Sequence, residues 1–223
     1  MHGLGFVLIA PSAIHLPNSP NSGIIVTPNS PIRSARDLNG KTVSVPGLND
    51  IGRVGIASWM DANGGDSSTV RFIELPVPSV FAALEQGRID AGAAFEPQLS
   101  QAVAAGKARI LGDFIGSLGG TVLESAFFTS DDFMKSNRAA IERFSRVMKQ
   151  ATEYTNSHPA DTVDLLATFT GQDVDSIRRS KRAVIGTSLD PRYLQPTINA
   201  AARYKVIPQV FDARDLLSAD SPK

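Results

Sequence analysis

From Ile24 to Phe114 short runs of β-branched or small residues alternate with short amphipathic segments, and this alternation limits the fold more than any other feature. Ile24 to Thr27, "KTVSVP", "TVRFIELP", "IDAGAAF" and "KARILGDF" read as strands. Between them, a helix should run from Asn49 or Asp50 to about Ala62. It carries Ile51, Val54, Ile56, Trp59 and Met60 and is stopped by Asn63, Gly64 and Gly65. "PSVFAALEQG" is a second helix, with Val80, Phe81 and Leu84 on one face and Gly87 at its end, and "EPQLSQAVAAG" is a third. Strands separated by helices imply an α/β layer with several parallel strands.

The flanks follow a different pattern. "FVLIA", bounded by Gly5 and Pro11, reads as a buried strand. As a secretory signal the N-terminus is poor, because no basic residue precedes the apolar run and no small-residue cleavage site ends it. The Pro, Asn and Ser of "SAIHLPNSPNSG" predict loop, and Ser34 is placed to cap a short helical turn ending at Gly40. After a strand in "ESAFFTS" the chain becomes mostly helical. Ile141, Phe144, Val147, Met148, Ala151 and Tyr154 recur at helical spacing and predict one apolar stripe. "PADTVDLLATFTG" and "DVDSIRRSKRAV" are shorter helices, the "RRSKR" run reading as a solvated helix face. A last helix should start on Asp190 as cap with Pro191 at its first position, and Pro196 should kink or restart it.

A chain of 223 residues suits one large domain or two lobes. Its 42% apolar and 20% charged residues are those of a globular chain. Zero net charge without a basic block argues against nucleic acid as a partner. No apolar run reaches the roughly 18 residues that suggest a membrane span. The absence of cysteine removes disulfides, thiolate metal sites and cysteine nucleophiles, and His2, His15 and His158 lack ligand spacing, so no metal is expected. No Walker, dinucleotide-binding or G-x-S-x-G motif is present. "GSLGG" (116–120) lacks the Gly-Lys-Ser/Thr of a phosphate loop and reads as a hinge-like connector. With no catalytic constellation, neither catalysis nor a cofactor is expected.

Two places could hold a ligand. Pro46, Gly47, Leu48, Asn49 and Asp50 lead into a helix start, whose free N–H groups and partial positive charge suit an anion. Plain capping by Asn49 or Asp50 explains the same residues, and Asp50 can itself occupy the positive end. Glu96 stands at a strand end, where open α/β sheets bind ligands, and there it either accepts hydrogen bonds from an amine or amide or caps the next helix. Ser22 is a weaker candidate beside an ordinary turn, and Ser125 shares that ambiguity. Phe95 and Trp59 read as core.

"SPIRSARDLNGKTVSVPGLND", "FAALEQGRIDAGAAFEP" and "LDPRYLQPTINAAARYKVIP" together resemble the solute-binding proteins of ABC importers, in the aliphatic-sulfonate, nitrate, taurine and thiamine-precursor group. The resemblance runs from about Gly3 to Leu217. It implies a two-lobed α/β fold of the periplasmic-binding-protein type 2. Residues 1–23 would be a remnant of lobe 1 with the first crossing, 24–116 a complete lobe 2, and 117–223 the second crossing and the C-terminal, mostly helical part of lobe 1. The crossings would fall near Asn21 to Ile24 and Ser117 to Leu123. Family members carry an earlier strand–helix–strand–helix stretch, so a missing N-terminal part of lobe 1 is expected, whether by truncation, a late start or a real partial product. Copies could then associate through an exposed apolar lobe 1 surface.

The resemblance places ligand contacts on Pro46, Gly47, Leu48, Asn49, Asp50, Glu96 and Ser22. It raises the ligand reading of the loop above capping, although both can hold. The implied function is capture of a small organic solute, one with hydrogen-bond donors in preference to bare nitrate, by hinge closure in a periplasmic or extracytoplasmic space. The closed form would deliver the solute to a membrane permease. One rival is an enzyme like the thiamine-pyrimidine synthases, which carry a cysteine-rich motif and use a bound cofactor with histidine, unlike this chain. Another is a ligand-sensing module outside transport.

Overall fold

A computed structural model describes residues 5–217; residues 1–4 and 218–223, among them His2 and Gly3, lie outside the described part. Five strands form the main sheet: β3 (Ser22–Val26), β4 (Thr42–Val45), β5 (Arg71–Glu74), β6 (Ala91–Phe95) and β7 (Arg109–Gly112). Their order is β5-β4-β6-β3-β7. β4 runs parallel to β5 and β6, and β3 runs antiparallel to β6 and β7. The carboxyl ends of β4, β5, β6 and β7 and the amino end of β3 therefore share one edge.

Helix α1 (Ile51–Ala62) covers one face of this sheet; α2 (Val77–Glu85) and α3 (Gln98–Ala104) cover the other. Residue alternation explains the two cores. Ile24, Val26, Val43, Val45, Ala91 and Ala93 meet Ile56 and Met60 of α1, whereas Ile25 and Ala94 meet Val80, Leu84 and Leu99. The small residues of β6 admit close packing: a Cβ on Gly92 would stand 2.5 Å from Val80 Cγ1. In α1 the expected Val54, Ile56 and Met60 are buried, with Ile51 and Trp59 packed at the rim of the core.

The remaining strands build two smaller sheets. β1 (Phe6–Pro11) pairs with β9 (Ala126–Ser130), and β2 (Ala13–His15) lies between β8 (Val122–Leu123) and β10 (Val184–Ile185). Helices α4 (Asp131–Ser136) and α5 (Arg138–Ser157) pack on β1 through Val7, Ile9, Met134 and Ile141. α6 (Val163–Thr170) and α7 (Val174–Arg179) share a small core, and α8 (Pro191–Arg203) buries Leu194 and Ile198 against Ile14 and Leu123. Two passages join these sheets to the main one, residues 16–21 and 113–121. They overlap the crossings expected from the sequence at residue 21 and at residues 117–121. The first lies earlier than expected, because Ser22, Gly23 and Ile24 already pair with Phe95, Ala94 and Ala93.

Four local expectations change. The buried stripe of α5 contains Ile141, Ser145 and Thr152, while Phe144, Val147 and Tyr154 stay exposed, because only one side of the helix meets β1. α8 does not restart at Pro196 but runs through it as one helix from the Asp190 cap. At the turn before β4 the capping direction is reversed: the Asp37 carboxylate accepts from the N–H groups of Arg33 and Ser34, both at 2.9 Å, and from the Ser34 hydroxyl. The "RRSKR" run is only partly helical, since α7 ends at Arg179 and Arg182 donates to Pro159 O and Thr162 Oγ1 at 3.1 and 3.0 Å.

Ile25 is fully buried between β3 and the α2–α3 layer. Replacing it by alanine should lower the unfolding free energy by about 2–5 kcal/mol, measured by urea denaturation on Trp59 fluorescence. A loss below about 1 kcal/mol would contradict the packing described.

Candidate functional site

The shared strand edge gathers the expected site residues from separate parts of the sequence. The loop Pro46–Asp50 leaves β4, Glu96 follows β6, and Ser22 opens β3. Asp113, which follows β7, joins them without having been anticipated. Ligand sites of open α/β sheets form at such edges because loops there are free of pairing.

Within the loop, Asp50 caps α1, its Oδ1 accepting from Arg53 N–H at 3.0 Å. Its own N–H donates to Gly47 O at 3.3 Å, and the Leu48 N–H donates to Glu74 Oε1 at 2.7 Å. Burial raises the Asp50 pKa above the usual carboxylate value. Hydrogen bonds from the Arg53, Gly52 and Gly47 amides pull it down, and the charge of Glu74 pushes it up again. Two carboxylates thus occupy the donors that an anionic ligand would need. Pro46, Leu48 and Asn49 remain exposed, with Leu48 held out by a backbone whose carbonyl accepts from Arg53 Nη1 at 3.3 Å.

Glu96 Oε2 accepts from Ser100 N–H at 3.0 Å, capping the first turn of α3, and the Glu96 N–H donates to Asn21 O at 2.9 Å. Ser22 is 3% exposed, and its hydroxyl donates to Asp113 Oδ1 at 3.0 Å. The same oxygen accepts from Gly116 N–H at 3.1 Å, so Asp113 organises the start of the second passage. His15 Nε2 lies 3.4 Å from Asp113 Oδ2. On the first passage, Asn21 Nδ2 donates to Glu124 Oε1 at 2.6 Å and to Ile14 O at 3.4 Å. Burial pushes the Glu124 pKa up to about 7; the Asn21 bond opposes this and the charge of Asp113 adds to it.

Ser22 and Glu96 open onto a cleft of about 410 Å³. Asp113, Ser100 and Lys181 complete its polar wall, and Leu99, Val103 and Ile110 form an apolar one. Lys181, beyond α7, brings the C-terminal region to this cleft. Its ammonium donates to Pro20 O and its N–H to Ser100 Oγ at 3.2 Å. Gln101 Nε2 adds bonds to Gln172 Oε1 and Ser180 Oγ, both at 2.8 Å. The loop Pro46–Asp50 shares the sheet edge but not the cleft lining. Asp113 was legible in the sequence as a carboxylate at a strand end, like Glu96; Lys181 and Glu124 carried no local signal. Ser125 Oγ accepts from Ala13 N–H at 3.1 Å, a structural role.

A mixed main sheet, joined by two passages to a second set of strands and helices, defines an α/β fold of the periplasmic-binding-protein kind. The chain belongs to the NMT1/THI5-like family, whose model matches residues 12–162. No curated protein matches its sequence. Among solved structures it is similar to the periplasmic aliphatic sulphonate binding protein SsuA of Escherichia coli, at 20% identity and TM-score 0.71 over 96% of this chain and 69% of that one. The alkanesulfonate-binding protein SsuA of Xanthomonas axonopodis pv. citri, bound to MOPS, matches at 20% identity and TM-score 0.70, covering 98% and 72%. The desulfurization enzyme DSZB matches at 15% identity and TM-score 0.67, covering 96% and 76%. One fold thus carries both binding and catalysis, and function has to be argued from the site.

A carboxyl at about 7 in the folded chain, against 4.5 when unperturbed, keeps a proton that the unfolded chain releases. Its contribution to stability is complete below pH 4.5 and is lost as pH rises to about 7. Chemical denaturation across this window should show the wild type losing stability relative to Glu124→Gln. Parallel curves would mean that Glu124 titrates as a solvated carboxyl.

Proposed function

We propose that this protein is the solute-binding component of an ABC importer, working outside the cytoplasm. It would capture a small organic solute between two lobes, residues 24–116 forming one of them, and present the closed form to a membrane permease. The observation that carries this reading is the pair of chain passages beside a cleft at the ligand-binding edge of the sheet. Two covalent crossings permit bending while preserving the fold on either side, and a solute touching both sides favours the closed arrangement by its differential contacts. Family membership and the fold shared with sulfonate-binding proteins support the same reading.

Ser22 and Glu96 are the ligand contacts proposed within the cleft, with Leu48 and the exposed part of the loop Pro46–Asp50 contributing from the same edge. The charge distribution favours a solute with hydrogen-bond donors and an apolar portion. Glu96 and Asp113 offer acceptors, Leu99, Val103 and Ile110 offer apolar surface, and Lys181 already donates to Pro20 O. At the helix start Asp50 and Glu74 take the amides that would otherwise hold nitrate or a sulfonate.

Isothermal titration with a panel of alkylamines, aminopyrimidines, aromatic acids, alkanesulfonates and nitrate tests this proposal. Binding of a donor-bearing organic compound is expected, weakened at least about tenfold by Glu96→Gln through loss of a charged acceptor. Binding confined to nitrate would defeat the preference for an organic solute. A solute that binds equally well to Glu96→Gln and Ser22→Ala would place the site elsewhere.

A further inference from the structure

Beside the two passages, polar side chains that are largely withdrawn from water tie the main sheet to the three-stranded sheet. Asn21, 3% exposed, leads directly into β3 of the main sheet, and Glu124 directly follows β8 of the three-stranded sheet. Their 2.6 Å hydrogen bond therefore joins the ends of two different sheets. His15 and Asp113 make a second such link at 3.4 Å. Asn21 Oδ1 is buried without a hydrogen-bond partner, as is His15 Nδ1. An amide oxygen buried without a donor is stripped of water and uncompensated, a conflict that a donor beside it would remove.

Protonation removes that conflict without moving the amide. A carboxylic acid has one accepting and one donating oxygen, and a primary amide has the complementary pair. Glu124 Oε1 can go on accepting from Asn21 Nδ2 while an Oε2–H donates to Asn21 Oδ1, closing a two-bond ring. We propose that Glu124 and Asn21 form a proton-operated clasp between the main sheet and the three-stranded sheet. The neutral carboxyl locks the sheets in the arrangement described here, and the ionised form, repelled by Asp113, lets them part.

Burial is the main influence against the ionised form and outweighs the Asn21 bond, which favours it. Asp113, from the end of β7, disfavours the ionised form of Glu124. His15, from β2, directs its Nε2 to Asp113 Oδ2 at 3.4 Å. Lys181, from beyond α7, is engaged by Pro20 O, one residue before Asn21. Glu96 directs its carboxylate to the amide of Ser100 and only its N–H to Asn21 O. Burial raises the Glu124 pKa to about 7, so the clasp weakens as pH rises from 4.5 towards that value. If the proposed solute-binding function holds, on which this consequence rests, closing takes up a proton and the solute is held more tightly at lower pH.

The test needs no solute. Small-angle scattering and the fluorescence of Trp59, which lies against Gly112 just before the second passage, are followed from about pH 4 to about pH 8. The wild type should expand in one transition as pH rises between 4.5 and about 7, the window in which the proton-linked stability of the clasp is lost. Glu124→Gln, whose amide reproduces the two-bond ring, should stay compact throughout with the transition lost. Asn21→Asp should move the transition to higher pH, because two carboxyls would then share one proton. A wild type without a transition overturns the proposal. So does a transition that survives in Glu124→Gln and disappears in His15→Gln. Circular dichroism checks folding; should Glu124→Gln not fold, hydrogen exchange of residues 16–21 and 113–121 in the wild type decides. Protection greater at acidic pH, after correction for intrinsic rates, supports the clasp, and equal protection overturns it. Failure of every solute in the binding panel would count against the function and leave this result standing.

Discussion

Strand β3 is buried along its whole length and is paired on both edges, with β6 on one side and β7 on the other. Ile24 and Val26 face the core under α1, and Ile25 faces the core under α2 and α3, so the strand belongs to both hydrophobic layers. It is also the one member of the main sheet that runs against its neighbours β6 and β7. That reversal delivers its first residue to the edge where the other strands end. Ser22 consequently sits beside Glu96 and Asp113, and the chain enters the sheet at the edge that carries the candidate cleft. Sliding β3 by one residue would exchange its two faces, so the site inherits its register from the core.

Two flanking contacts then set how the other sheets stand against this one. On the α3 side, Ser100 and Gln101 bond to Gln172, Ser180 and Lys181. On the α1 side, Tyr204 donates to Asp61 Oδ2 at 2.9 Å, and burial followed by that carboxylate pushes the Tyr204 pKa to about 12. Each neutral bond contributes only about 0.5–1.5 kcal/mol net. A handful of them holds an arrangement without locking it, a balance suited to a protein proposed to open and close. The buried cores on either side are far costlier to disturb, so the proposed bending would be concentrated in residues 16–21 and 113–121.

Much of this architecture could be read from residue order. The caps Asp50 and Asp190, the stop at Gly64 and Gly65, and the alternating strands from Ile24 to Gly112 are local features, and local features survive without knowledge of the fold. The stripe on α5 was misplaced because periodicity reveals that a helix is amphipathic but not where its partner lies. Ile141 and Ser145 meet β1 and Thr152 is buried, whereas Phe144 and Val147, equally apolar in pattern, stay exposed. Lys181 and Arg182 were read as solvated charge because their acceptors, Pro20 O, Pro159 O and Thr162 Oγ1, belong to distant parts of the chain.

By itself the sequence determined the α/β class, the positions of most strands and helices, and the placing of the loop Pro46–Asp50 and of Glu96 at strand ends. Those properties follow from periodicity, capping chemistry and breaker residues within a few positions of one another. Only the tertiary structure decided that Asp50 and Glu74 would occupy the amides of that loop, and that Ser22 and Glu96 would share a cleft with Asp113 and Lys181. It alone brought Asn21 to Glu124. The reason is physical: a carboxyl's charge state and a donor's availability depend on neighbours and on burial, and residues 103 positions apart become neighbours only when the sheets form.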